Sequence, residues 1–316
     1  MLLQETVSFC GSVSIGEKCM KKLFKAQKMR TTIISYIFMA PALLILGIFV
    51  FYPIVFSIPL AFTDYSAVGG TTNFIGLENF KRLAGDPDFW LSLKNSCLFV
   101  IVVPVLQILA ILLALLMNNK FRGNSAFRVL IYMPVVTSMV AVSIIWKFIF
   151  DPDGIINALL LKWDIIAKPI LFLSDSKIAL IVLMAVTIWQ GIGYYMMMYL
   201  SALQSFPEEI IDATKIDGAN AWQTFWKVRL PLLKNQIGFC SMISIIAAVG
   251  VFDVVFTMTN GGPNKATYVI NYYSYKMAFN SYDFGYSAAI GLVSAVMICV
   301  FTCMQFALSK KGEKEA

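Results

Sequence analysis

The chain has 316 residues, 59% of them apolar and 14% charged, and its mean hydropathy of +0.76 lies outside the usual balance of a soluble domain. Its formal net charge is +7 and it contains no histidine, which excludes His-based triads, His-ligated zinc and His proton relays. The positive balance comes without a basic patch interleaved with exposed aromatics, so no nucleic-acid partner is expected.

Crossing a hydrocarbon core of roughly 30 Å takes about 20 apolar residues in a helix. Six stretches qualify: Ile33 to Phe62, Ser96 to Met117, Phe127 to Phe150, Ile178 to Tyr199, Ile237 to Met258 and Phe284 to Leu308. The runs are continuously apolar rather than alternating, so each must satisfy its own backbone as a helix. The expected fold is an all-α polytopic membrane protein with six transmembrane helices. Residues 1–32 form an N-terminal segment, 33–308 the membrane domain with a polar loop at 203–235, and 309–316 a tail.

The first twenty residues, polar and without periodicity, read as a disordered extension or as sequence upstream of the true start. The basic residues Lys21, Lys22, Lys25, Lys28 and Arg30 precede the first span, where they can meet anionic headgroups. That span is far longer than a signal-peptide core of about 7–15 residues and reads as a retained anchor. Thirty helical residues would reach roughly 45 Å, so it is expected to tilt, to bend near Pro53 or Pro59, or to project beyond the hydrocarbon. Pro41 marks a loosened first turn. Leu77 to Leu93 then reads as a short helix along one surface, broken at Asp86, Pro87 and Asp88.

The fourth span mixes ring faces with hydrogen-bonding groups. Gln190 and Tyr194 lie four apart on one helical face, a surface that suits the C–H faces and hydroxyls of a sugar, with Gln107 of the second span as a weaker companion. Aromatic residues are equally at home in the interfacial belt. Asp253 is the acidic residue within a span, and its charge must face protein or water. It either shapes a solute path or bonds a neighbouring helix.

Between the fourth and fifth spans lies a polar island, Ser205 to Lys234. Ser205 and Glu208 have capping-box spacing, and Pro207 suits a first helical turn. Ile210, Ile211, Thr214 and the Lys215 stem gather on one side while Glu208, Glu209 and Asp212 face water. Gly218 permits a sharp turn, Ala219 to Val228 reads as a second helix carrying Trp222, Phe225 and Trp226, and Pro231 restarts the chain into the fifth span. Such a bracket either rests on headgroups or docks into a groove of a partner.

Short basic loops stay on the cytoplasmic side. With the N-terminus inside, that side holds 16 of the 25 Lys and Arg residues: six in Lys18 to Arg30, three in Lys120 to Arg128, four in Lys215 to Lys234 and three in Lys310 to Lys314. Both termini are therefore expected inside. The six cysteines lack metal or disulfide spacing, and no metal site, cofactor or catalytic residue is expected. The chain has no GxxxxGK[ST] phosphate loop, so it is not an enzyme with its own ATPase site, and any energy comes from another subunit or an ion gradient.

The stretch DATKIDGANAWQTFWKVRLP resembles the loop signature of inner-membrane permeases of binding-protein-dependent ABC importers: E-A-A, three residues, G, nine residues, I, one residue, L-P. Asp212, Ala213 and Thr214 occupy the E-A-A positions, Gly218 the glycine, Val228 the isoleucine, and Leu230 and Pro231 the end. Asp for Glu keeps the charge on a shorter stem, and Thr for Ala puts a hydroxyl at a packing position. PALLILGIFVFYPIVFSIPLAFTDY, FIGLENFKRLAGDPDFWLSLKNS and FDVVFTMTNGGPNKATYVINYYSYKMAF resemble the carbohydrate-uptake branch, so the likeness runs from Pro41 to Phe306. The resemblance implies the type I importer permease fold in a bacterial cell membrane. It implies as partners a second homologous permease subunit, two cytoplasmic ABC ATPase subunits, an extracytoplasmic solute-binding protein and a sugar-like solute. By the same resemblance Glu208, Glu209, Asp212 and Gly218 dock the ATPase; the polar and aromatic character of their spans makes Gln190, Tyr194 and Asp253 the expected solute-path residues. The runner-up is a secondary transporter of small polar solutes coupled to an ion gradient through Asp253; a channel would need a filter, and a membrane enzyme a nucleophile and base, that are not recognisable here.

Overall fold

The computed structural model describes residues 13–69, 72–119 and 122–314, and of residues 13–28, 30, 208 and 308–314 the backbone only. Helix α1 (Val13–Leu46) passes through Pro41, widens into a π turn (Gly47–Phe51) and continues as α2 (Tyr52–Leu60). The cause of the widening is Pro53, whose ring crowds the carbonyl four residues back and which has no N–H to offer. Tyr52 accordingly donates five residues back, to the Gly47 carbonyl. The apolar stretch Thr31–Leu60 is exposed along its length. Residues 1–12 of the expected extension lie outside the described residues, while Val13 to Met20 are helical.

The described residues up to Pro59 belong to one compact unit and those from Leu60 onward to a second. In the second unit, α3 (Glu78–Gly85) ends where Asp86 caps α4 (Pro87–Phe99), its carboxylate accepting from the Asp88 and Phe89 N–H groups at 2.9 and 3.4 Å. The expected break is therefore a helix boundary, and Pro87 sits in the first turn, where its missing N–H has no intrahelical partner. Helix α4 leads into α5 (Val102–Asn118), and Pro87–Asn118 is long and apolar enough to cross a membrane.

The third apolar run departs from the expected straight span. It forms α6 (Asn124–Val136) and α7 (Met139–Ile149), bent by 99° across Thr137 and Ser138, both extended. Pro134 and the β-branched Val135, Val136 and Thr137 weaken helical continuity there. After α8 (Ile155–Lys162), helix α9 (Ala179–Ser205) supplies the fourth span. The fifth also breaks: α13 (Lys234–Val249) stops at Gly250, and α14 (Asp253–Met258) begins three residues later. Helices α7 and α14 pack together, so the two interrupted spans meet. Helix α15 (Ile270–Phe279) precedes the last span, α16 (Phe284–Lys314). Among the described residues five helices are long and apolar enough to cross, six with the bent pair counted as one span.

The core is the α5–α9 pair. Ala110 and Ala114 of α5 are fully buried, and Leu183, Val186, Met196 and Leu200 of α9 are almost so. Lipid is as apolar as these side chains, so close packing rather than escape from water holds the pair. Small residues one turn apart allow that approach. In the second half of α4, Asn95 Nδ2 donates to the Ala266 and Tyr268 carbonyls at 2.9 and 2.8 Å, and Ser96 Oγ accepts from the Ile270 N–H at 2.9 Å. These bonds fix α15 and the turn before it against α4.

Candidate functional site

The loop between the fourth and fifth spans begins with α10 (Glu208–Ile216), whose N-cap is Pro207. The expected capping box at Ser205 and Glu208 does not form: Ser205 belongs to the last turn of α9, and its hydroxyl donates back to the Ala202 carbonyl at 2.7 Å. The box sits instead at Asn220 and Gln223. Asn220 Oδ1 accepts from the Gln223 N–H at 2.8 Å and Gln223 Oε1 from the Asn220 N–H at 3.0 Å, starting α11 (Ala221–Thr224).

Between the helices Gly218 has φ +72°, as expected of the turn glycine. The Ala219 N–H bonds the Thr214 carbonyl at 3.0 Å and the Gly218 N–H the Lys215 carbonyl at 3.1 Å, the paired closure that a left-handed glycine after a helix allows. Thr224, buried, reaches the Thr214 hydroxyl at 3.4 Å. A closing turn and a capping box within six residues make the bracket stiff.

The second helix begins at Ala221 and runs on past its expected end at Val228. Past Thr224 a π turn (Phe225–Arg229) leads through α12 (Leu230–Leu232) into α13. The Leu230 N–H bonds the Phe225 carbonyl ahead of Pro231, repeating the adjustment seen ahead of Pro53, so the proline widens the helix rather than restarting the chain.

Most of the bracket is exposed. Glu209, Asp212 and Gly218 face outward, and Asp212 pairs with Lys215 at 2.8 Å. Of the expected apolar side, Ile211 and Thr214 are partly buried, while Ile210 is exposed and Ile216 is 87% exposed. Trp222, 69% exposed, stacks edge-on against Trp226. The side chain of Glu208 lies outside the described residues.

Of the three expected path residues, Gln190 and Tyr194 lie on α9 and Asp253 on α14. Tyr194 lines an open cavity of about 610 Å³ together with Tyr132, Ser201, Gln236 and Met198. Gln190, one turn away, points its amide toward the Pro134 carbonyl on the interrupted third span, at 3.5 Å. Asp253 is exposed at the start of α14, just past the break in the fifth span, and makes no hydrogen bond or ion pair with the described residues. Gln107 is not a companion of this pair. It is buried between α5, α9 and α13, accepting from the Tyr199 hydroxyl at 2.5 Å and donating to Ser244 Oγ at 2.9 Å.

A family model described as "Binding-protein-dependent transport system inner membrane component" matches residues 107–313, from the buried amide through the bracket to the last helix. The chain belongs to this family. Among relatives, the lactose transport system permease protein LacF of Rhizobium radiobacter is 36% identical over 277 residues, 86% of this chain and 92% of that protein. The sn-glycerol-3-phosphate transport system permease protein UgpA of Agrobacterium fabrum is 29% identical, covering 88% and 95%. A chain of a bacterial alginate ABC transporter, solved with an alginate-bound periplasmic protein, superposes with a TM-score of 0.79 at 22% identity, over 90% of this chain and 96% of that one. The importer permease fold expected from the sequence is thus the fold observed, and the chain is an inner-membrane transport subunit.

Two features of this inner membrane component escaped the sequence reading. The breaks at 137–138 and 250–252 fall inside long apolar runs; within a hydrocarbon core non-helical backbone is tolerated only against protein or a water-filled cavity, and discontinuous spans mark solute paths in other transporters. Pro134 and Gly250 inside apolar runs were the available signals. The Gln107, Tyr199 and Ser244 node had no signal beyond the presence of polar residues in three separate spans.

Proposed function

We propose that this inner membrane component is one of two related permease subunits of an ATP-driven importer for a sugar or related solute, with both termini in the cytoplasm. An ATPase subunit docks on the bracket from Ser205 to Pro231, chiefly through Glu208, Glu209, Asp212 and Gly218. The observation that carries the reading is a stiff polar bracket whose outer side has no partner among the described residues. A headgroup-resting helix pair needs no such stiffness, whereas a coupling element must transmit a displacement without bending.

Solute passes along the α9 face that carries Gln190 and Tyr194, with Asp253 shaping the polar path near the break in the fifth span. The cavity beside Tyr194 is of small-molecule size, and its hydroxyl, amide and ring groups suit a sugar. The names of the lactose and sn-glycerol-3-phosphate relatives support this solute class. An external binding protein delivers the solute, and two ATPase subunits closing on ATP drive the exchange between two states of the permease pair. This chain then needs differential contacts in those states and no catalytic group.

Cysteines placed at Glu209 or Asp212 should crosslink to a co-expressed ATPase subunit, with a yield that changes on ATP addition. An assembled, transport-active complex giving no such product would remove the docking assignment.

A further inference from the structure

Beside the bracket, where α5 ends and α6 begins, lies a second open cavity of about 440 Å³. Three cationic side chains line it, Arg128, Lys215 and Arg229, against the single carboxylate of Asp212. Asp212 is engaged with Lys215, so the uncompensated charge rests on the two arginines. Arg128 is held in place: its Nε donates to Asn124 Oδ1 and its Nη2 to the Met117 carbonyl, both at 2.8 Å. A guanidinium has five N–H donors, so three remain. Arg229 is half-buried and, among the described residues, has no acceptor at all.

A half-buried guanidinium without an acceptor is unfavourable, and its planar fork is matched by the oxygens of a phosphate. Side-chain amides of Asn118, Asn119 and Gln204 line the same cavity and offer further donors. We propose that this cavity binds a phosphate group, anchored by Arg128 and Arg229. The wall also carries Leu203, Phe206 and Ile211, and the cavity lies at the ends of the spans, a level at which basic pockets between helices take lipid headgroups. A soluble phosphoester offers the same chemistry. Arg128 belongs to the third span, Lys215 to α10 and Arg229 to the lead-in of the fifth span, so an occupant ties the bracket to two spans and regulates how freely it moves. The binding site stands whether or not α10 docks an ATPase.

The test uses the full-length chain in nanodiscs of phosphatidylcholine mixed with phosphatidylglycerol, followed by native mass spectrometry of the released protein. Wild type should retain phosphatidylglycerol, and R229Q should retain roughly tenfold less, the loss expected for one charge-assisted pair. R229K, with charge but no fork, should fall between them. K227Q removes an exposed cation outside the cavity and should retain the lipid like wild type. In a second arm, inorganic phosphate and glycerol phosphate are titrated into the chain in pure phosphatidylcholine nanodiscs, with the melting temperature as readout. Retention lost in R229Q alone identifies a headgroup site; a melting shift present in wild type and absent in R229Q identifies a soluble phosphoester. Equal loss in R229Q and K227Q, or no Arg229-dependent response in either arm, overturns the proposal.

Discussion

Gly193 marks the point where the fourth span approaches the interrupted third. A Cβ built there would lie 2.3 Å from the Ile131 carbonyl oxygen and 3.0 Å from Tyr132 Cα, whereas ordinary contact begins near 3.4 Å. The shortfall is about 1 Å, and both offending groups are backbone, so no rotamer change relieves it. Gly193→Ala must push α6 away from α9, and overpacking of this kind costs roughly 1–3 kcal/mol, offset in part by a helix-propensity gain of about 0.8–1 kcal/mol for Gly to Ala. Gly191, two residues earlier on the same helix, supplies the control: its Cβ would meet Leu106 Cδ2 at 3.8 Å. Gly191→Ala keeps the propensity gain without the clash and should leave stability unchanged or slightly raised. The assay is thermal unfolding of each variant in detergent, followed by uptake in the assembled transporter. A melting temperature for Gly193→Ala as high as that of Gly191→Ala would refute the claim that backbone contact sets the α6–α9 distance.

Tyr199→Phe deletes the donor to a buried Gln107 oxygen and should lower stability by roughly 1–3 kcal/mol, read as a lowered melting midpoint; an unchanged midpoint would show that the α5, α9 and α13 node is not structural. Asp86 accepts from the Tyr273 and Tyr286 hydroxyls, both at 2.5 Å, besides capping α4. Burial pushes its carboxyl up, but the two hydroxyls and the Asp88 and Phe89 N–H groups together bring it below its ordinary value of 3.8. Its contribution is therefore present above about pH 3.8 and is lost as pH falls through the lowered value, so unfolding scans of wild type should show an acid limb there that is missing from Asp86→Ala. Gly218→Val places a β-branched residue at φ +72° and should strain the turn by at least about 1 kcal/mol, lowering coupled ATPase activity while the exposed position leaves bundle stability unaltered; full coupling would contradict the turn's role.

The spans and the bracket were legible because their signals are local sums. Six long apolar runs announce themselves whatever their neighbours do, and Gly218 after Asp217 marks a left-handed turn through its own backbone freedom. Helix continuity is another matter. Hydropathy does not distinguish a straight span from one bent by 99° at Thr137 and Ser138, because both bury the same residues in lipid. Capping misled for a similar reason: Ser205 has the right spacing to Glu208, but α9 runs six residues past Tyr199, where the apolar run ends, and takes that hydroxyl for its own last turn. Tyr199, at the end of the fourth apolar run, is fully buried, because Gln107 and Ser244 approach from two other helices. A meeting of three helices is written nowhere in any one of them.

The central claim is that this permease subunit moves a sugar-like solute only when an ATPase and a binding protein act on it. Its most direct test is uptake of labelled saccharides into proteoliposomes holding this chain, its partner permease and the ATPase subunits, with ATP inside and the binding protein outside. Uptake should need both ATP and the binding protein, survive dissipation of the ion gradients, and fall or change in solute preference in Gln190→Ala and Tyr194→Ala. Uptake that proceeds without ATP and follows an imposed proton or sodium gradient would contradict the account.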